Sequence, residues 1–212
     1  MIQQPLLLVG AGGHAVSCID VIETHGGFAV AGLIGSAAEV GRKVLGYEVI
    51  GTDADLPGLL GRISNALIGV GQIRSADTRV RLFETLQRVG FRLPTIVSPR
   101  AHVSRHATVG EGTIVMHGAV VNAGAKLGRN CIVNSSALIE HDVIVGDHCH
   151  ISTGAILNGD VRVGLAAFVG SRATVREGKV IGDRCVIGMG QLVLADCEAD
   201  AWLPPKRRSV TA

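Results

Sequence analysis

From residue 97 to residue 193 every sixth position is aliphatic: Val97, Val103, Val109, Val115, Val121, Leu127, Val133, Ile139, Val145, Ile151, Leu157, Val163, Val169, Val175, Ile181, Ile187 and Val193. If about half of all positions were aliphatic, a run this long would arise by chance in fewer than roughly one case in a hundred thousand, so the period is structural. A period of six is the hexapeptide signature of a parallel β-helix. Each hexapeptide makes a short flat strand and a turn, and three close one triangular coil. A residue therefore lies directly beneath the one eighteen positions later, and the aliphatic side chains stack inward. The position four further on is small (Ala101, Ala107, Ala119, Ala125, Cys131, Ala137, Cys149, Ala155, Ala167, Ala173) and also points in. Cys131, Cys149, Cys185 and Cys197 share that position, which marks them as buried fillers rather than nucleophiles. The position after the aliphatic is often Gly (110, 128, 146, 164, 170, 182, 188), which suits a corner. The unbroken register leaves no room for a long loop.

The first 95 residues follow another rule. PLLLV at 5–9 reads as a strand ending in the glycine turn GAGGHA, and SCIDVIETHGG continues as a helix with a Gly-Gly stop. Strands follow at 28–35, 47–51, 65–71 and 92–97, with an amphipathic helix over 75–90. Strand, glycine turn, helix, strand is a βαβ opening. The fold class is therefore α/β plus β: a small Rossmann-like domain over 1–95, then a β-helix over 96–212 with a C-terminal tail. Cys18 falls in the first helix as a core residue.

Composition fits this division. The chain has 29 Gly but only one Trp, one Tyr and four Phe, as expected where backbones pack closely. A net charge of +2 gives no nucleic-acid footprint, and Lys206-Arg207-Arg208 is a short terminal cluster. No leader and no spanning run is visible, so a soluble cytoplasmic protein is expected, in which five cysteines are not a disulfide framework.

The chemistry concentrates in LIEHDVIVGDHCHIS, residues 138–152. The register separates its three histidines. His141 is the third residue of its repeat, at an outward corner, with Ala123 below and Gly159 above. Those small neighbours leave room for a ligand, and the adjacent Asp142 can hold the imidazole tautomer and raise its basicity. His148 is expected in solvent. His25, His102, His106 and His117 read as structural or solvated. A zinc trio drawn from His117, His141, His148 and His150 would have to form across chains, so no metal is expected.

GAGGHA after the first strand, and NSSALIEHD within an uninterrupted hexapeptide helix, resemble the nucleotide-sugar N-acetyltransferases of the left-handed β-helix class. The likeness covers nearly the whole chain and is most specific over 134–164. Within that class the chain looks closest to the GDP-perosamine N-acetyltransferases, which serve O-antigen synthesis. The resemblance implies a homotrimer with active sites between neighbouring β-helices, and acetyl-CoA as co-substrate in the groove between them. It implies a sugar nucleotide on the N-terminal domain. His141 would be the general base and Asp142 its orienting partner. Asn134 would lie near the acceptor sugar. Gly12, Gly13, His14 and Gly71 would line the sugar-nucleotide site. His150, Ala173 and the N–H of Gly159 would lie on the acetyl-CoA side, with Gly159 aimed at the thioester carbonyl. Transfer would be direct, without an acyl-enzyme.

The chain departs from the pattern in two places. Relatives that use UDP-sugars carry an acidic pair after the second strand, where this chain has Gly35 and Ser36, so guanine is the expected base. Near the C-terminus WLPPKRR replaces Gly-Val-Pro-Ala, which would bring Lys206 or Arg207 toward CoA phosphates.

Three rival readings remain. GAGGHA also fits the dinucleotide fingerprint GxGxxA, but Ile34, Gly35 and Ser36 supply no carboxylate for a ribose. Such a turn instead cradles a phosphate at a helix N-terminus. A sugar O-acetyltransferase would use the same base. A trimeric, non-catalytic sugar-nucleotide scaffold would not need the His141–Asp142 pair.

Overall fold

A computed structural model describes residues 3–205. The N-terminal domain is built from β1 (Gln4–Val9), α1 (Gly13–His25), β2 (Phe28–Ile34), β3 (Lys43–Val44), β4 (Tyr47–Gly51), α2 (Leu56–Leu59), β5 (Asn65–Ile68) and α3 (Asp77–Val89). The sheet order is β3-β4-β2-β1-β5, with only β3 antiparallel to its neighbour. The carboxyl ends of β1, β2 and β4 lie side by side, the place where open α/β sheets bind ligands. The Gly-Gly stop is real: Gly26 takes the left-handed conformation, and its amide caps α1 on Ile22. The strand expected over 92–97 is shorter. Arg92 makes one bridge to Asn65, Pro94 has no N–H to donate, and pairing resumes only at Ile96–Val97.

From there β6 (Ile96–Val97) opens a series of eighteen two-residue strands that ends at β23 (Trp202–Leu203). They form three parallel sheets of seven, six and five strands, a left-handed β-helix. Strands pair with those eighteen residues on, as Ile132 with His150 and His150 with Phe168, until the last coil, where Val186 pairs with Trp202 sixteen residues on. The aliphatic column is its core, with Val115, Val121, Val133, Ile139, Ile151 and Val169 fully buried. Cys131, Cys149 and Cys185 are buried as fillers, Cys197 is partly buried, and Cys18 lies in the N-terminal core.

The glycines after the aliphatic position do a different job from the one expected. A Cβ on Gly110 would fall 2.6 Å from the backbone carbon of Gly128, so they permit close stacking of coils. The corner itself is turned two residues later, by left-handed residues such as Asn130, Ser136, Asp142, His148 and Asp160, with φ between 53° and 62°. Asn and Asp tolerate that region better than most residues.

The domains share a core. On the seven-stranded sheet the outward residues Ile96, Ile114 and Ile132 pack with Ile19 and Ile22 of α1. The fully buried Arg79 of α3 staples the junction. Its guanidinium donates to the carbonyls of Ile68 (3.1 Å), Val70 (2.6 Å) and Asn130 (3.0 Å), and to Asn130 Oδ1 (2.6 Å). Burial lowers its pKa to about 10, so it stays charged at neutral pH. A second tie joins α1 to the coils: His117 bridges Ser98 Oγ (2.6 Å) and Asp20 (2.9 Å).

Candidate functional site

Three features stand out: the His141–Asp142 corner, a buried histidine pair, and a cleft in the N-terminal domain. The first cluster is the corner after β13 (Leu138–Ile139). Asp142 turns into the left-handed conformation at φ 61°, and its carboxylate lies 3.0 Å from His141 Nδ1. The imidazole is 66% exposed. A Cβ on Gly159 would fall 2.6 Å from His141 Nε2, and one on Gly124 would overlap Asp142 Oδ1. Two glycines thus make the room in which the pair sits. The hydrogen bond to Asp142 raises the His141 pKa above its ordinary value, and Glu140 and Asp160 push the same way. Among the described residues, no backbone acceptor takes the N–H of Gly159.

The second cluster sits on β15 (His150–Ile151), where the N-terminal domain meets the seven-stranded sheet. His150 follows Ile132 in the outward column and is 6% exposed. Its Nδ1 donates to the Gln72 carbonyl at 2.8 Å, which leaves Nε2 to accept from Asn134 Nδ2 at 3.2 Å. Asn134 Oδ1 in turn accepts from the Ser135 amide. The His14 ring centroid lies 6.3 Å from that of His150, and a Cβ on Gly71 would lie 3.4 Å from that of His14. Burial and the Arg79 charge hold His14 at a pKa of about 3 and His150 at about 4. Both rings are neutral at physiological pH.

The cleft, about 690 Å³, opens at the carboxyl ends of β1, β2 and β4. Gly10, Gly12, Gly35, Ser36, Thr52 and Asp53 are among its lining. A Cβ at Gly12 or Gly13 would meet nothing within 4 Å, and α1 has no side-chain cap, so its first amides are available to an anion. Arg42 adds a cation by donating to the Ala11 carbonyl. A second groove of about 350 Å³ runs from His150 past Phe168 and Met189 to Trp202, with the Arg74 guanidinium 5.0 Å over the indole ring.

Other expected residues fall elsewhere. Ala173 is fully buried; its amide donates to Gly170 and its carbonyl accepts from Ile156, so it offers a ligand neither side chain nor spare polar group. His148 is not in solvent. It is half-buried, packs edge-on to Phe83 of α3 and pairs with Asn130 at 2.9 Å. Burial lowers its pKa. Lys206 and Arg207 lie outside the described residues. Sequence reading missed Gln72, Arg79, Arg42 and Phe168. Only Phe168 had a signal, the outward column Ile96, Ile114, Ile132, His150, Phe168 at intervals of eighteen. Among the described residues no helix is long and apolar enough to cross a membrane.

Known proteins share this architecture. The PglD N-terminal domain family matches residues 5–86, and the bacterial transferase hexapeptide family matches 106–141 and 124–159. A histidine-to-asparagine mutant of perosamine N-acetyltransferase from Caulobacter crescentus, solved with CoA and GDP-perosamine, is 32% identical. The match covers 95% of this chain and 93% of that one, with a TM-score of 0.88. The acetyltransferase domain of PglB from Neisseria gonorrhoeae, solved with acetyl coenzyme A, is 30% identical over 93% of this chain and 94% of that one (TM-score 0.85). WeeI from Acinetobacter baumannii, 19% identical over 96% of this chain and 99% of that one, shares the fold with a TM-score of 0.82. This chain belongs to the PglD-like hexapeptide-repeat family and is an acetyl-CoA-dependent sugar N-acetyltransferase.

Proposed function

We propose that the protein acetylates the 4-amino group of a GDP-linked amino-deoxy sugar, GDP-perosamine, in the cytoplasm, with His141 as general base. The observation that carries this reading is the corner itself. His141 Nε2 faces the space that only glycine at 159 leaves open, while Asp142 holds Nδ1. An amine attacks a thioester only as the free base. His141 takes the proton from nitrogen as the N–C bond forms, and the Gly159 N–H meets the charge developing on the carbonyl oxygen. As the C–S bond breaks, the proton passes from His141 to the departing thiolate. Acetyl-CoA supplies the activated acyl group. The apolar groove from His150 to Trp202, with Arg74 at its end, suits a pantetheine arm and a nucleotide.

The nucleotide cleft supports the acceptor. Free amides at the start of α1 and the Arg42 guanidinium suit a diphosphate. The Caulobacter relative holds GDP-perosamine even with a histidine replaced by asparagine. Within one chain His141 shares no hydrogen bond with the His14–His150 cluster among the described residues. Its corner opens beside an outward stripe of half-buried Val120, Leu138 and Ile156 and exposed Leu192. An assembly of three β-helices would cover that stripe and bring His141 of one chain to the cleft of its neighbour.

The test is CoA release with a panel of nucleotide-linked 4-amino sugars. His141→Asn should lower kcat by about 10²-fold or more at pH 7, the usual contribution of a positioned base. Near-wild-type kcat across pH 6–8 would sink the role, and a dilute monomer with full activity would sink the intersubunit site.

A further inference from the structure

We infer that the Asp53–Arg81 pair at the rim of the cleft reads the base of the nucleotide and selects guanine. The inference rests on the reading of this cleft as the nucleotide site. The inner walls are apolar: Val9, Ile34, Val70 and Leu82 suit the faces of a planar base. Specificity must come from polar groups that line the cleft with bonds to spare; Glu39 is engaged in its own turn, and Asp55, which caps a turn through one oxygen, is not part of the lining. Glu39 Oε2 accepts from the Ser36 amide (2.9 Å) and hydroxyl (2.8 Å), and Oε1 faces Arg42 at 3.4 Å. Asp55 Oδ2 accepts from the Thr52 amide (2.7 Å) and hydroxyl (3.0 Å). Both acids cap their own turns, at the ends of β2 and β4.

Asp53 is different. Among the described residues its one hydrogen-bond partner is Arg81, whose Nη1 donates to Oδ2 at 3.0 Å. Oδ1 is unspent, and so are Nη2 and Nε of Arg81. Asp53 is 41% and Arg81 59% exposed, and both line the cleft. A carboxylate beside a guanidinium presents acceptor, acceptor, donor in a row. Guanine presents the complement along one edge: the N2 amino group, N1–H and O6. Uracil presents O2, N3–H and O4, so it satisfies two positions and sets its O2 against a carboxylate oxygen. Adenine, with an amino group and an unprotonated N1, fits worse still. A base seated against the apolar walls would shield the pair from water, and an analogue lacking a matching group would then leave one of its polar atoms unpaired.

Replacing Asp53 by Asn turns one acceptor into a donor, which is the pattern uracil needs. Titration calorimetry with GDP, UDP and ADP on the full-length wild type and Asp53→Asn tests this, with CoA as the control ligand. The wild type should bind GDP about tenfold or more tighter than UDP, and Asp53→Asn should lose about tenfold for GDP while keeping or gaining affinity for UDP. CoA affinity should not move. Arg81→Met should weaken GDP and UDP together, since both lose the donor to O6 or O4. A wild type that prefers UDP, or an Asp53→Asn variant with the wild-type GDP/UDP ratio, overturns the inference. A wild type that binds GDP with this ratio but acetylates no GDP-linked amino sugar overturns the proposed reaction and leaves the base reading standing.

Discussion

His141 and His150 are nine positions apart on one coil of the β-helix, and their surroundings push them in opposite directions. His141 stands in solvent beside a carboxylate, and its pKa is raised. His150 lies under the N-terminal domain, and burial takes its pKa down to about 4. The same side chain becomes a titrating base in one place and a neutral hydrogen-bonding strut in the other. A corner residue of a β-helix has no strand beside it, whereas a residue on a sheet face is buried whenever another element packs there. What separates the two is cover: no element of the described chain packs on the His141 corner, whereas the N-terminal domain covers His150, as α3 covers the corner residue His148.

The largest expected effect breaks the corner without touching its histidine. Gly159 does not need a left-handed backbone, and the atom a new Cβ would meet is the mobile end of an exposed ring. Gly159→Ala should therefore fold normally and push His141 Nε2 aside. We expect kcat to fall by about 10²-fold, the scale of a 1 Å misplacement, with binding of both substrates unchanged. Unchanged kcat would separate Gly159 from the reaction. Asp142→Asn should do less, well short of the ~10²-fold that a lost base costs. Asn still reaches Nδ1 but cannot stabilise the imidazolium, so the His141 pKa should drop. The neutral base then persists to lower pH, and the acid limb of the kcat profile should shift that way. An unmoved limb would mean that another group sets it.

Much of this molecule was legible because its order is periodic. The aliphatic run located every coil, the inward cysteines and the corner of His141. The glycine turn located α1. What escaped depends on contacts between domains. Nothing in the period says that α3 covers His148, or that Gln72 and Arg79 reach the coils from the N-terminal domain. Ala173 is a related case: its repeat position faces inward, and only family likeness placed it at a ligand. Asp53 and Arg81 lie 28 residues apart and share no sequence signal with the cleft they flank.

The smallest effect concerns stability, and it tests the buried half of the comparison. An unfolded histidine titrates near pH 6.5, whereas folded His150 and His14 do so near 4 and 3. Between those values the unfolded chain binds protons that the folded chain refuses. Stability is therefore fully present above about pH 6.5 and is lost as pH falls toward 4. Gln is the informative replacement at 150, because it can donate to the Gln72 carbonyl and accept from Asn134 without titrating. His150→Gln should flatten the fall in Tm between pH 6.5 and 4 while leaving His14 to supply the remainder. His141→Gln should leave that acid limb as it is, because a raised pKa contributes stability below pH 6.5 rather than losing it there. Equal effects from the two variants would mean that corner and face are not electrostatically distinct.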